Sequence, residues 1–144
     1  MRILVTGRNG QVGWELARAL APLGQVIALD RTELDLAAPD RIDAVLKHIQ
    51  PEIIVNAAAY TAVDRAESEP ELAHAVNAQA PGTLAAGAER AGALLVHYST
   101  DYVFDGSKGA PYVEDDAPNP LGVYGKTKLE GERAIQASGC RHLI

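Results

Sequence analysis

The sequence RILVTGRNGQVGWEL, residues 2–16, joins an apolar, β-branched run to an amphipathic segment through a glycine-rich turn. The run 2–6 has the composition of a buried strand, and the segment after the turn predicts a helix over residues 11–22. A strand that passes directly into a helix in this way is typical of a parallel sheet with crossover helices.

The turn has the pattern G-x-x-G-x-x-G at Gly7, Gly10 and Gly13. Gly7 permits the tight turn, Gly10 lets backbone N–H groups approach a pyrophosphate, and Gly13 lets the helix pack closely. Because a helix N-terminus favours an anion, the turn predicts a dinucleotide site. Three glycines also occur in purely structural turns, and it is the strand–turn–helix setting that favours the dinucleotide.

Short apolar runs continue to alternate with amphipathic segments along the chain. They predict an α/β fold, a doubly wound parallel sheet of the Rossmann type, formed by residues 1–144 as one domain. The predicted strands cover residues 2–6, 25–29, 52–56 and 93–98, and the predicted helices cover residues 11–22, 40–49, 71–91 and 122–138. Pro81-Gly82 allows a bend or a break in the third helix.

Residues 99–121 fit neither period and predict a long loop after a central strand, at the edge where open parallel sheets bind ligands. Residues 140–144 are again largely apolar and stand in the place of a further strand. We therefore interpret the chain as truncated before the last strands and before a substrate domain.

Composition excludes several classes of protein. With 47% apolar and 22% charged residues the 144-residue chain is globular, and its net charge of -6 without a basic stripe argues against nucleic acid as a partner. No apolar run approaches the ~20 residues of a membrane helix, so we expect no membrane partner and a cytoplasmic location. The single Cys140 forms no internal disulfide and suggests no zinc site.

Asp30 closes the second predicted strand, about twenty residues after the glycine turn, where a carboxylate accepts hydrogen bonds from the adenosine ribose. This position favours NAD. Arg31 beside it matches the geometry of a 2′-phosphate, so NADH and NADPH both stay open. The alternative for the pair is an exposed turn with two solvated charges.

Tyr124 and Lys128 are one helical turn apart and share a helix face. An ammonium group near a phenol stabilises the phenolate, which lets Tyr124 protonate a carbonyl oxygen. Thr100, at the end of a predicted strand, offers a hydroxyl to the same oxygen. In isolation the Tyr–Lys pair would be a solvated surface pair, but combined with the glycine turn and the strand-end Ser99-Thr100 it predicts a site that protonates a carbonyl oxygen.

Residues 6–13, 56–64, 99–106 and 124–132 together resemble the extended short-chain dehydrogenase/reductase family, and the last two blocks are highly specific. The resemblance implies a catalytic set of Thr100, Tyr124 and Lys128, with Thr100 and Asp101 at the substrate sugar. It also implies cofactor contacts at Gly7, Gly10, Gln11, Val12, Asp30, Asp35, Leu36, Ala59, Tyr60, Thr61, Tyr98 and Lys128.

The activity implied is reduction of the 4-keto group of a dTDP-linked 6-deoxyhexulose to dTDP-L-rhamnose by NADPH or NADH. Two alternatives stay open: a non-catalytic, NADP-binding regulatory subunit of the methionine adenosyltransferase type, and a reductase or epimerase of another nucleotide sugar. Family members are roughly twice as long. The chain alone is therefore expected to bind NAD(P)H weakly and to reduce no dTDP sugar.

Two further residues follow from the resemblance. Glu15, on the first helix, matches a residue that in some members joins a Mg²⁺ site between subunits, although an exposed helical glutamate needs no metal; Mg²⁺ use and a homodimer are both left open. Gly122 stands where relatives commonly carry Asn, which predicts a looser approach to Tyr124.

Overall fold

The computed structural model describes all residues, Met1–Ile144, and contains one sheet of parallel strands in the order β2-β1-β3-β4-β5. The strands are β1 (Arg2–Thr6), β2 (Gln25–Leu29), β3 (Ile53–Asn56), β4 (Leu94–His97) and β5 (Arg141–Leu143). The four predicted strands are confirmed to within one residue at each end. The apolar residues at 140–144 also extend the sheet, because β5 pairs with β4.

Helices fill the connections between strands. They are α1 (Gln11–Ala19), α2 (Pro39–Ile49), α3 (Val63–Ala66), α4 (Pro70–His74), α5 (Ala80–Ala91) and α6 (Val123–Ala137). The predicted first helix was too long: α1 ends at Ala19, and Pro22 lies in a separate 3₁₀ turn, Ala21–Leu23, because proline has no N–H with which to continue the ladder. The short α3 was not predicted. No helix in the structure combines the length and the apolar composition that a membrane span requires.

Successive residues of each strand face opposite sides of the sheet. On one side Leu4, Ile54 and Leu95 belong to the larger core, which also contains residues of α2, α5 and α6. On the other side Ile3 and Val55 form a smaller core that packs against α1. Helices therefore lie on both faces, which confirms the predicted doubly wound sheet.

No break occurs at Pro81-Gly82, where the sequence allows a bend or a break, and the irregularity of the helix lies one turn earlier. Residues Ala75–Gln79 form a π segment that joins α4 to α5 without an interruption in helical dihedrals, and the N–H of Ala80 bonds to the Ala75 carbonyl five residues back. Since Pro81 has no N–H, the Asn77 carbonyl receives no hydrogen bond from it. A π segment is a common way for a helix to accommodate one extra residue.

Helix α6 approaches this π segment closely at Gly131. A Cβ atom on Gly131 would lie 2.2 Å from the Asn77 carbonyl oxygen, so no larger residue fits without movement of a backbone. Gly87 on α5 looks similar, since its Cβ would lie 2.2 Å from Leu46, but there the atom in the way is the end of a flexible side chain.

Gly131→Ala is expected to lower the free energy of unfolding by about 1–3 kcal/mol, because the new methyl group meets a backbone carbonyl that cannot rotate away. Gly87→Ala is the matched control: Leu46 can change rotamer there, and alanine favours the helix. Urea unfolding followed by circular dichroism measures both variants. Wild-type stability of Gly131→Ala would contradict the close approach of α6 to the π segment.

Candidate active site

Three neighbouring strands end on buried polar residues. Thr6, Asn56 and His97 are register partners across β1, β3 and β4, and each is at most 3% exposed. The Thr6 hydroxyl donates to Asn56 Oδ1 at 2.6 Å, and the Asn56 amide lies 3.0 Å from His97 Nδ1. The carboxyl edge of the sheet therefore carries a buried, hydrogen-bonded row of polar side chains.

Lys128 of α6 extends this row. Its ammonium donates to the Tyr98 carbonyl at 2.5 Å and lies 3.3 Å from His97 Nε2, and the residue is only 1% exposed. Burial lowers the pKa of Lys128 to about 8, an effect that the nearby Glu132 carboxylate opposes. Burial and the Lys128 charge together lower the pKa of His97 to about 3, so the imidazole is neutral.

Asn56 and His97 were missed from the sequence. A signal for them exists, because three apolar strands end in a single polar residue, in ILVT at 3–6, IIVN at 53–56 and LLVH at 94–97. When each strand is considered alone, its last polar residue indicates only where the strand ends. The pairing register of the sheet is needed to show that the three side chains are neighbours.

Tyr124 lines a cleft at the mouth of the long loop. The residue is 9% exposed, and its ring meets the Tyr102 ring edge-on, with the ring centroids 5.5 Å apart. The cleft measures about 430 Å³ and is lined also by Asp101, Phe104 and Tyr112. The structure thus brings together the predicted proton donor and one predicted sugar contact.

Thr100 and Lys128 differ from their predicted arrangement. The Thr100 hydroxyl accepts the Tyr102 N–H at 3.2 Å, which caps the 3₁₀ turn Asp101–Val103, and Thr100 does not line the cleft. The Lys128 ammonium is hydrogen-bonded at the strand ends and not to the Tyr124 hydroxyl. Tyr124 and Lys128 share the helix as predicted, but the buried Lys128 ammonium is hydrogen-bonded to the Tyr98 carbonyl.

The predicted loop is confirmed and is organised around one carboxylate. Asp105 accepts hydrogen bonds from the Ser107 N–H, the Tyr112 hydroxyl and the Asn119 amide at 2.8–2.9 Å, which hold the pKa of Asp105 well below its usual range. The rings of Phe104 and Tyr112 stack with centroids 4.2 Å apart. One wall of the cleft is therefore built by internal hydrogen bonds of the loop.

The glycine turn has the form that an anion requires. Gly7 has φ +77°, and a Cβ on Gly13 would lie 2.1 Å from the Gly7 carbonyl oxygen, so both positions exclude a side chain. Gly10 precedes α1 and provides no side-chain cap. The first N–H groups of α1, from exposed Gln11 and Val12 onward, have no partner within the helix. These residues fit a pyrophosphate.

A cavity of about 170 Å³ opens beside this turn. Its lining includes five of the predicted cofactor contacts and five other residues: Gly7, Asp35, Leu36, Ala59 and Tyr60, with Arg31, Leu34, Ala58, Leu72 and Val76. Gln11, Val12 and Tyr98 line a separate groove of about 340 Å³ along α1, together with Glu15. Thr61 is exposed and lines neither.

Asp30 directly precedes Arg31 of the cavity lining, and both of its carboxylate oxygens accept hydrogen bonds. Oδ1 accepts from the Thr32 hydroxyl at 2.6 Å and Oδ2 from Arg8 at 2.8 Å, and the hydrogen bond from Thr32 is the largest cause that lowers the pKa of Asp30 to about 2. Arg8 also reaches Glu33 at 3.1 Å. Sequence reasoning missed Arg8, whose cation inside the glycine turn was a usable signal.

Gly122 does not loosen the start of α6 as the sequence suggested. The Glu67 carboxylate accepts the Val123 N–H at 2.7 Å and so caps the helix. A Cβ on Gly122 would lie 2.8 Å from that carboxylate oxygen. Glycine at position 122 therefore leaves room for Glu67, and the acidic group near a helix N-terminus is favourable.

Glu15 is exposed on α1, and no cluster of three or more His, Cys, Asp or Glu residues in the chain is suited to hold a metal ion.

Solved and curated proteins resemble the chain over nearly all its residues. The dTDP-4-dehydrorhamnose reductase of Burkholderia thailandensis is 56% identical over 139 residues, which cover 96% of this chain and 47% of that protein. The crystal structure of a dTDP-4-dehydrorhamnose reductase from Clostridium acetobutylicum matches with a TM-score of 0.95 at 42% identity, over 99% of this chain and 51% of that one. The Bacillus anthracis reductase, solved in complex with NADP, matches with a TM-score of 0.92 at 37% identity, over 98% and 51%.

The chain thus spans about half the length of the curated relatives it matches. The family described as the RmlD substrate binding domain matches residues 1–144. Since that match extends over the whole chain, the chain belongs to the RmlD substrate binding domain family.

Proposed function

We propose that this chain is the nicotinamide-binding and proton-donating part of a dTDP-4-dehydrorhamnose reductase, acting where the long loop meets α6. One observation carries the proposal: Tyr124 lines the loop cleft, and one turn along the same helix Lys128 holds a buried ammonium at the strand ends. Burial of a cation costs free energy, so its retention one helical turn from a tyrosine favours a chemical role.

The cofactor in this proposal is NADPH or NADH. The N–H groups at the start of α1 suit its pyrophosphate, with Gly7, Gly10, Gln11, Val12 and Gly13 in contact. The cavity of Asp35, Leu36, Ala59 and Tyr60 suits its adenosine, with Thr61 and Tyr98 farther along the cofactor. The NADP complex of the Bacillus anthracis relative supports this choice. When bound, the nicotinamide supplies the hydride.

Arg8, Arg31 and Asp30 bear on the choice between the two cofactors. Arg31 is exposed and Arg8 is partly exposed, and both suit a 2′-phosphate. Asp30 suits ribose hydroxyls and repels a 2′-phosphate. We propose that this balance admits both NADH and NADPH.

In the proposed reaction the Tyr124 hydroxyl gives its proton to the 4-keto oxygen of the dTDP-4-dehydrorhamnose substrate as the carbon is reduced, which yields dTDP-L-rhamnose. The Lys128 ammonium stabilises the phenolate that remains. Thr100 orients the keto oxygen with the hydroxyl proton that donates to Asp101 Oδ1 in the free chain, and Asp101 contacts the sugar.

Tyr124→Phe in a full-length protein carrying this chain is expected to lower kcat by ~10²–10⁴-fold, because the phenol proton is lost. Affinity for NADPH should stay nearly unchanged, since the phenol acts on the substrate. Stopped-flow oxidation of NADPH and a fluorescence titration measure the two quantities. Near-normal turnover of Tyr124→Phe would reject the proton donor. Cofactor binding without turnover by the wild type would favour a regulatory subunit.

Two lysines of α6 provide a matched pair for the same assays. Lys128→Met should lower both kcat and cofactor affinity, whereas Lys126→Met, on the exposed side of the helix, should change neither. Equal effects of the two substitutions would show that Lys128 acts only through the stability of α6.

Asp30→Asn is expected to shift the ratio of NADH and NADPH affinities several-fold toward NADPH, because one negative charge is removed and Arg8 loses an ion pair. Asp40→Asn, in the exposed first turn of α2, removes the same charge away from the cavity and is the control. Titration of each variant with both cofactors decides the matter. Equal changes for the two cofactors would make Asp30 a turn residue only.

A further inference from the structure

His97 lies in the interior between two polar side chains. Its Nδ1 is 3.0 Å from the Asn56 amide and its Nε2 is 3.3 Å from Lys128 Nζ, and the residue is 3% exposed. No buried side-chain polar atom in the chain lacks a hydrogen-bond partner. Asn56 and Lys128 are thus the groups that satisfy both ring nitrogens.

Lys128 directs two of its three N–H groups to acceptors within the chain, so one N–H group remains for a further acceptor. An ammonium has three N–H groups and no acceptor. One donates to the Tyr98 carbonyl and one points to His97 Nε2. Two acceptors at fixed positions restrict rotation of the ammonium, so the direction of the third N–H group is set by the strand ends.

Asn56 determines which nitrogen of His97 can accept. A neutral imidazole carries one proton, and acceptance from Lys128 at Nε2 requires that proton on Nδ1. Asn56 must then present its oxygen to Nδ1 and its amide nitrogen to Thr6. The structure has Asn56 the other way round, with Oδ1 accepting from the Thr6 hydroxyl and the amide nitrogen facing Nδ1. Because the two ends of an amide have nearly the same shape, a flip of the Asn56 side chain gives the required orientation.

The reverse orientation of the Asn56 amide suits the neutral amine form of Lys128. If Lys128 loses its proton, His97 donates from Nε2 to the amine and the Asn56 amide donates to Nδ1, while the Thr6 hydroxyl donates to Asn56 Oδ1 as at 2.6 Å. Asn56, His97 and Lys128 then each have a hydrogen-bond partner in both protonation states of Lys128. A leucine at position 97 would satisfy neither state.

We propose that His97, with its tautomer set by Asn56, is a positioning residue that holds the Lys128 ammonium for the reaction at Tyr124. This inference rests on the proposed function, because it assigns Lys128 a part in proton transfer. Its structural part, that His97 is a hydrogen-bond partner of Lys128, can be tested without the substrate.

The other groups around Lys128 cannot take this place. Glu132, on the same helix, accepts a hydrogen bond from Ser99 and acts on Lys128 through its charge. Asn77, from the π segment packed on α6, bonds to the backbone of Tyr60 and carries no charge. His97 is therefore the side chain that contacts the ammonium directly.

Three substitutions of His97 separate the role of its two nitrogens. Gln places its amide near the position of Nε2, Asn places its amide near Nδ1, and Leu has no polar atom. In a full-length protein carrying this chain, kcat is expected to fall about tenfold or more for His97→Leu and His97→Asn, since each loses a hydrogen bond to a charged group. His97→Gln should stay within about threefold of the wild type.

The titration of Lys128 provides a readout that does not depend on turnover. Its side-chain NMR signal, identified by its loss in Lys128→Met, should titrate near pH 8 in the wild type and in His97→Gln. In His97→Asn the midpoint should fall by about one unit, because the charged form has lost an acceptor. If His97→Leu fails to fold, the Asn and Gln variants carry the test.

An unchanged Lys128 titration in His97→Asn, or a loss of kcat in His97→Gln equal to that in His97→Asn, would overturn the proposal. Absence of turnover in the wild type together with the expected titrations would reject the proposed function and leave the contact between His97 and Lys128 intact.

The neutral imidazole also predicts a pH dependence of stability. Its pKa is about 3 in the folded chain and 6.5 as the ordinary value, so the unfolded state binds more protons between these limits. The stability that depends on a neutral His97 is then complete above about pH 6.5 and is lost progressively toward pH 3. Urea midpoints should therefore fall more from pH 7 to pH 5 in the wild type than in His97→Gln. Equal falls of the urea midpoint in the two proteins would show that the His97 imidazole is charged in the folded chain. A charged imidazole accepts no hydrogen bond from Lys128, so this result would contradict the proposal.

Discussion

The row of buried polar side chains at the carboxyl edge of the sheet is the constraint on which the rest of the structure depends. Thr6, Asn56 and His97 satisfy one another only because their strands pair in one register. A slip of one residue would bury apolar groups against polar ones and leave an amide or an imidazole without a partner, at a cost that a small domain cannot absorb easily. The pairing register of the strands therefore also determines the environment of Lys128.

Helix α6 must reach this row from outside the sheet, and close contacts with backbone atoms guide it there. Cβ atoms on Gly125 and Gly131 would each lie 2.2 Å from a carbonyl oxygen, of Tyr102 and of Asn77 respectively. Asn77 also accepts the Tyr60 N–H and donates to Thr127 of α6. The contacts on one helix therefore join the loop cleft, the cofactor-side loop and the π segment, and they leave little freedom for the ammonium and phenol it carries.

Much of the fold and of the candidate site could be predicted from the sequence, because many of the patterns that indicate them lie within short segments of the chain. The glycine turn, the strand ends and the spacing of Tyr124 and Lys128 are all properties of short segments. His97 and the cap that Glu67 provides were missed because each depends on a residue far away in the chain, Lys128 and Val123. The position of the helix irregularity was misjudged since proline marks a missing N–H but not the turn in which the helix compensates for it.

The π segment has a consequence for the evolution of this chain. Deletion of one residue from Ala75–Gln79 would restore a regular ladder and remove a rare element, yet it would turn the following helix by about 100° relative to the preceding one. Leu84 and Ala88, which belong to the larger core, would then rotate out of it. The length of this segment is therefore coupled to the packing of α5: a change of one residue in Ala75–Gln79 requires the core contacts of α5 to rearrange as well.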